Sequence, residues 1–245
     1  MTPSRWVLSA ACVLAVSGCV APPTAFETAR ALATPAAETV GGVLAGGAVD
    51  ASAREDAVVR ASRAVVRVRN RTCDGLATGS GFAVGPHRLV TNRHVVEGAR
   101  HLTLDTSDGQ QLEVEVAAEA DDDDLAVITT TEVLPAPLQL AAEEAAPGAL
   151  VTALGFPLGG PLSRQDGRVI DRVAGARFET PSEVLRSDVH IRPGNSGGPL
   201  LDSTGHVVGV VFAVELSGGD ALALPVTRLR AVLAQRHLHE VDTTC

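Results

Sequence analysis

The chain has 245 residues, 45% of them hydrophobic, with 24 glycines, no tyrosine and 2% aromatics. It is long enough for one large or two small domains, and its core must be built from Val, Leu, Ala and Ile, which favours strands. A net charge of −9, with every basic residue an arginine, excludes the positive footprint that nucleic-acid binding requires, and serves solubility instead.

The chain opens as an export signal. Arg5 supplies a short positive region, and Trp6–Val16 is an apolar run shorter than the roughly 20 residues that span a bilayer. Val16-Ser17-Gly18-Cys19 closes it and resembles the bacterial lipobox. That resemblance implies a lipoprotein-type signal peptide over 1–19 ending at the lipobox Cys, with Cys19 the lipidated first residue of the mature protein, and a membrane anchor on the outer face of the bacterial cell membrane. The alternative is an ordinary signal peptide with a chance cysteine, and a secreted or periplasmic protein. Residues 20–57, rich in Ala, Pro and Gly, read as a flexible tether.

The folded region is expected to span 58–245. Short apolar runs punctuated by turn residues occur at Val65–Val68, Ser80–Val84, Arg88–Thr91, His101–Leu104, Leu112–Val116 and Leu125–Ile128. This spacing predicts an all-β barrel over 58–134. Residues 135–148, with three prolines and a polar Ala-Glu stretch, read as a linker. A second set over 149–245 comprises Ala149–Leu154, Arg168–Val173, Glu183–Ile191, Gly198–Leu201, His206–Phe212 and Ala221–Leu224. Leu229, Val232 and Leu233 then recur at helical spacing, which predicts a terminal helix over Val226–His237 capped by Thr227.

Cysteine arithmetic leaves one candidate pair. Cys12 lies in the signal run and Cys19 at its end, so Cys73 and Cys245 remain. In an oxidising compartment two thiols normally pair. A Cys73–Cys245 disulfide would close a loop of about 170 residues, worth on the order of 4 kcal/mol in the chain-entropy model. The alternative is two free thiols. No cluster has metal-ligand spacing, and no metal or cofactor is implied.

Three stretches carry chemistry together. Gly194-Asn195-Ser196-Gly197-Gly198-Pro199-Leu200 puts a serine on a tight turn whose Gly194 and Ser196 N–H groups can converge on an oxyanion. Thr91-Asn92-Arg93-His94-Val95-Val96 supplies a base directly after a strand. Asp123-Asp124-Leu125-Ala126-Val127-Ile128 supplies a carboxylate at a strand edge. Alone, the first reads also as a Gly-rich turn, the second as a structural histidine and the third as a solvated loop.

In the order His, Asp, Ser, these segments resemble the three signatures of trypsin-like serine proteases, nearest the bacterial branch that holds the HtrA/Deg proteases and the actinobacterial periplasmic acid-resistance proteases. The resemblance covers about residues 60–235. It implies an all-β fold of two six-stranded antiparallel barrels, chymotrypsin-like, with a C-terminal helix. It also implies a site between the barrels, with His94, Asp124 and Ser196 as the catalytic triad and the Gly194 and Ser196 amides as the oxyanion hole. The function implied is endopeptidase hydrolysis of protein or peptide substrates through an acyl-enzyme.

Departures from the family pattern narrow this picture. Asn195 stands where digestive relatives carry Asp, so no activation by insertion of a new N-terminus is expected. Phe212 stands where a serine often supports the catalytic Asp, so Asp124 needs other support. His190 falls at the floor of the specificity pocket and Phe212-Ala213-Val214 at one wall. Val214 replaces a glycine there, which favours small or medium aliphatic P1 side chains; His190 donating to an acidic P1 is the alternative. With the two barrels expected to fill the chain to its end, no PDZ domain is expected after them. Two further readings stay open: a catalytically silent binding or chaperone module, and an acyl hydrolase of another class. The latter is disfavoured because the Gly-x-Ser-x-Gly elbow and its Ser-Asp-His order are absent.

Overall fold

The structure is a computed structural model that describes residues 50–120, 123–175, 183–215, 218–235 and 238–241. The signal region, most of the tether and Cys12, Cys19 and Cys245 lie outside the described residues.

The first element is a helix that the sequence pattern does not announce. α1 (Ala51–Ser62) begins inside the expected tether, with the Asp50 carboxylate accepting from the Ser52 N–H as its cap. Only Ala57, Val58 and Ala61 are buried. This short apolar face would not hold a helix in water, so tertiary contacts must hold it. Arg54 reaches Thr152 (2.9 Å) and Asp166 (2.8 Å), and Arg164 pairs with Glu55 (2.5 Å).

The first half contains β1 (Val65–Thr72), β2 (Leu76–Gly85), β3 (Arg88–Thr91), the one-turn helix α2 (Arg93–Val96), β4 (Ala99–Thr106), β5 (Gln111–Leu112), β6 (Val114–Glu119) and β7 (Ala126–Thr130). The second half contains β8 (Leu150–Gly155), β9 (Ser163–Ala174), β10 (Glu183–Ser187), β11 (Pro199–Leu201), β12 (Val207–Val214), β13 (Ala221–Pro225), α3 (Val226–Leu233) and β14 (His239–Glu240). Strands β8–β13 close into a six-stranded barrel in the order β10-β13-β12-β11-β8-β9. The first half is a sheet of eight strands, β14-β6-β7-β3-β2-β1-β4-β5. Two short strands account for the difference from six. The expected Leu112–Val116 run breaks at Glu113 into β5 and β6, and the chain end returns as β14 to pair antiparallel with β6.

The fold class is therefore the expected one, with mostly antiparallel strands and a C-terminal helix. The helix is shorter than expected and is capped differently. Its N-cap is Pro225, while Thr227 lies inside the first turn and its hydroxyl donates to Glu144. The apolar face Val226, Leu229, Val232 runs out at Leu233, and the helix ends there. The linker is stitched to both halves: Leu138 N–H donates to Ala83 (2.8 Å) and Ala141 N–H to Val207 (2.9 Å).

The core explains why the halves act as one unit. One cluster lies within the first sheet around Val66, Leu89 and Ile128, and another within the barrel around Val151, Leu185 and Val211. A third joins the two, packing Val65, Phe82, Val90 and Leu125 against Leu154, Phe156, Leu201 and Leu224, with Val58 of α1 on its edge. Each such side chain contributes about 1.5–3 kcal/mol on burial, against about 0–1 kcal/mol for an exposed ion pair. Apolar packing thus fixes how the segments that carry His94, Asp124 and Ser196 face each other.

Candidate active site

The histidine segment is held from both ends. β3 stops at Thr91, and Asn92 adopts an extended backbone before α2 begins. The buried Asn70 of β1 donates through Nδ2 to the carbonyls of Val95 (3.0 Å) and Glu97 (3.1 Å), satisfying groups that a one-turn helix leaves open.

His94 and Asp124 are in direct contact. The His94 ring lies with Nδ1 2.7 Å from Asp124 Oδ2, and the His94 backbone N–H donates to Oδ1 at 3.0 Å. A carboxylate only accepts, so Nδ1 carries the proton and Nε2 is left as the basic nitrogen of the neutral ring. The His94 side chain is 45% exposed and that of Asp124 18%, so the base is open to a reactant and its partner is shielded.

Support for Asp124 comes from three groups that sequence reasoning did not assign. Asn92 Nδ2 donates to the Asp124 carbonyl at 2.7 Å. The His94 amide takes one carboxylate oxygen. The third group is indirect: Leu125 N–H donates back to the Asp123 carbonyl (2.7 Å), so Asp124 sits at the centre of a three-residue turn. Asp123 is only 2% exposed and is gripped by Arg228 of α3 through Nε (3.2 Å) and Nη2 (2.6 Å).

Ser196 stands on two consecutive tight turns. In the first, Asn195 N–H donates to the Arg192 carbonyl (3.0 Å), with Pro193 second and Gly194 third at φ +96. In the next, Gly198 N–H donates to the Asn195 carbonyl (2.9 Å) with Gly197 third at φ +84. Positive φ at the third position after a proline marks a type II turn. Space also demands glycine at both positions. A Cβ on Gly194 would lie 2.5 Å from the Phe156 carbonyl, and one on Gly197 would lie 2.1 Å from the Ser80 carbonyl.

Among the described residues, the Gly194 and Ser196 N–H groups donate to no carbonyl or side chain. They are two free donors beside a half-buried hydroxyl. The Ser196 hydroxyl itself donates to the Phe212 carbonyl at 3.3 Å, a long bond. Phe212 lies at a register shift of β12 against β13. It is buried, Ala213 and Val214 beside it are half-buried, and His190 is exposed on the segment after β10. Behind that wall, Arg186 pairs with Asp171 (2.7 Å) and Glu215 (3.2 Å). The Arg186 hydrogen bonds hold the Asp171 carboxyl below the usual range.

Comparison with known proteins settles the family. The model of the trypsin-like peptidase domain matches residues 79–210. The chain belongs to the trypsin-like peptidases. Within this family it is similar to the serine protease Rv3671c of Mycobacterium tuberculosis, 33% identical over 165 residues that cover 64% of this chain and 41% of the relative. It is also similar to a probable periplasmic serine endoprotease DegP-like of Halomonas elongata, 33% identical over 150 residues, 60% of this chain and 31% of the relative. The chain thus spans well under half the length of these relatives. The solved active form of the M. tuberculosis Rv3671c protease superposes with a TM-score of 0.69 at 28% identity, covering 80% of this chain and 90% of that one. The chain carries its histidine and aspartate segments on the first half and its serine turn on the second.

Three elements of this site were missed in the sequence: Arg228 with Asp123, Asn92, and Ser80, whose hydroxyl donates to the Gly194 carbonyl. Asn92 had a signal, being the polar residue between a strand end and the histidine. The others are joined by tertiary contacts that local pattern does not reveal. Among the described residues no group of His, Cys, Asp and Glu could hold a metal, and no helix is long and apolar enough to cross a membrane.

Proposed function

We propose that this trypsin-like peptidase is an exported serine endopeptidase acting through His94, Asp124 and Ser196. The observation that carries the reading is the His94–Asp124 pair, which leaves Nε2 basic, in a fold where two free amides flank Ser196.

In the reaction, the Ser196 hydroxyl leaves the Phe212 carbonyl and turns to His94 Nε2. Its oxygen attacks the peptide carbonyl carbon while its proton passes to Nε2. Asp124 holds the ring and stabilises the imidazolium. The carbonyl oxygen becomes an oxyanion that the Gly194 and Ser196 N–H groups bind; removing one such donor costs roughly 2.7–4 kcal/mol of barrier. His94 then protonates the leaving amine, and the C–N bond breaks. Water, deprotonated by His94, hydrolyses the acyl-enzyme and returns the proton to Ser196.

Val214 shortens the wall formed with Phe212 and Ala213, which supports small or medium aliphatic P1 residues, with His190 at the pocket floor. The amino-terminal signal supports export, and Cys19 supports a lipid anchor on the outer face of the cell membrane. The relative from H. elongata bears a periplasmic name, in keeping with export. The Cys73–Cys245 pair is supported by two facts. Cys73 is disulfide-bonded. The described residues Glu240 and Val241 also line a recess of about 810 Å³ together with Ala99, the residue paired with Thr72 just before Cys73.

The test is labelling of the signal-free protein with a fluorophosphonate probe beside Ser196→Ala. Labelling of the wild type that vanishes in the variant is the expected result. A folded wild type that neither labels nor cleaves peptides would leave the silent binding module as the better reading.

A further inference from the structure

The amide of Gly194 belongs to the Pro193–Gly194 peptide, and something must fix which way that peptide faces. In a trans peptide the C=O and N–H point in opposite directions. The Pro193 carbonyl accepts from the Leu158 N–H at 2.6 Å. This bond turns the carbonyl toward the 156–159 loop and sends the Gly194 N–H to the other side, where Ser196 stands.

Leu158 is itself in an unfavourable state. Its φ of +55 and ψ of 24 are left-handed, and its side chain is exposed, so no burial of its own holds it there. The surrounding structure must impose that conformation.

The imposing groups come from the first half of the molecule. Arg67 of β1 donates to the Gly159 carbonyl at 2.7 Å, and its guanidinium carbon lies 5.6 Å from the Phe156 ring centroid. Ser80 of β2 makes the more telling contacts. It is fully buried. Its hydroxyl accepts from the Phe156 N–H at 2.9 Å and donates to the Gly194 carbonyl at 2.7 Å. Its backbone N–H donates to the Ser196 carbonyl at 2.8 Å. One small side chain therefore touches the start of the loop that holds Pro193 and the residue whose amide is to be aimed.

We propose that Ser80 is a positioning residue of the oxyanion hole: its hydroxyl ties the Phe156–Gly159 loop to Gly194 and so fixes the direction of the Gly194 N–H. The inference rests on the peptidase reading. Ser80 does not touch substrate; it acts through the loop and through Gly194. Without the hydroxyl, the buried Phe156 N–H and Gly194 carbonyl lose their shared partner, and the central peptide of the Arg192–Asn195 turn is free to rotate. A rotated peptide would present the Pro193 carbonyl, an acceptor, where the oxyanion needs a donor.

The test compares wild type, Ser80→Ala and Ser80→Cys in hydrolysis of peptide anilides carrying Ala, Val or Leu at P1, and in inhibition by the matching peptide aldehydes. Aldehydes form a tetrahedral adduct that uses the hole. The expected result for Ser80→Ala is a kcat lower by about 10- to 100-fold, KM within about twofold, and aldehyde affinity lower by the same factor as kcat. Ser80→Cys, which fills the same space with a weaker donor, should fall between; if Ser80→Ala does not fold, this variant alone carries the comparison. A merely structural role for Ser80 would lower the melting temperature and the yield of active protein while leaving kcat per labelled active site unchanged. That result, in an active wild type, overturns this inference alone. A wild type that neither labels with fluorophosphonate nor turns over overturns the peptidase reading, and this inference with it.

Discussion

Among the described residues, the His94 ring has one hydrogen-bond partner, the Asp124 carboxylate, and the nature of that partner decides which nitrogen is basic. Asp124→Asn keeps the shape, but its one oxygen is needed to accept from the His94 backbone N–H, so its NH2 donor faces Nδ1. The ring then favours the other tautomer, with the proton on Nε2, where it cannot take one from Ser196. The expected outcome is a fall in kcat of about 10⁴ with little change in the melting curve, measured with the same peptide anilides. A drop of less than tenfold would mean that Asp124 does not orient the base. Leu158 offers the opposite kind of test. Its left-handed backbone costs a residue with a side chain about 1–2 kcal/mol, whereas glycine meets no such penalty and loses about 0.5–1 kcal/mol of chain entropy on folding. With the residue 67% exposed, Leu158→Gly should leave the melting temperature unchanged or raise it slightly. A marked fall would mean that the leucine side chain packs somewhere.

At the scale of elements, α3 is the part whose contribution to the site is least expected. It packs on the shared core through Leu229 and Val232, and it also sends Arg228 to a carboxylate one residue from Asp124. Breaking a buried ion pair by removing one partner costs about 3–5 kcal/mol. Arg228 is 33% exposed while Asp123 is 2%, so water screens part of the loss, and about 2–3 kcal/mol is the better figure. Arg228→Ala should therefore lower the melting temperature and, by loosening the turn around Asp124, lower kcat as well. Adding Asp123→Asn should recover much of the stability, because the uncompensated charge is gone. Failure of the double variant to recover would mean that the pair is not the origin of the loss. These contacts also mark the limit of sequence reading. β3 was expected over Arg88–Thr91 and is found there, because its apolar run and bounding turns are local signals. The eight-stranded first sheet was not foreseen, since β14 is two residues long and exists only by pairing with β6. The sequence pattern assigns residues 51–57 of α1 to the tether for a similar reason: the helix is mostly exposed and half polar, and its clips to Asp166 and Arg164 span more than a hundred residues of chain. His94, Asp124 and Ser196 were nominated because each lies in a recognisable local motif, whereas Ser80 is one hydroxyl in a strand and Arg228 one arginine in a helix.

For the whole molecule, the question is how firmly α1, the first described element, is held against the strands of the two halves. Two kinds of contact compete in importance. Val58, Ala57 and Ala61 bury apolar surface, with Val58 alone worth about 1.5–2 kcal/mol. The clips Arg54–Asp166 and Glu55–Arg164 lie at the surface and contribute about 0–1 kcal/mol each. Acid acts only on the second kind. Partial desolvation pushes the Asp166 carboxyl up, but the Thr152 hydroxyl, Arg164 and Arg54 together outweigh it and hold the group below the ordinary carboxylate range. A folded value below the unfolded one means that this contribution is present above about pH 4 and is lost as the pH falls through the folded value. The apolar contacts remain, so acid should loosen α1 without releasing it. Hydrogen exchange should show amides of residues 51–62 exchanging several-fold faster at pH 3 than at pH 5, after correction for intrinsic rates, while those of β8–β13 stay protected. Asp166→Asn should bring the same loosening at pH 7, and salt near 1 M, where screening acts within about 3 Å, should mimic part of it. Equal acceleration throughout the barrel would mean that acid attacks the core before the clips. No acceleration in α1 would mean that Val58 and its neighbours hold the helix alone, and that the ion pairs add nothing to its attachment.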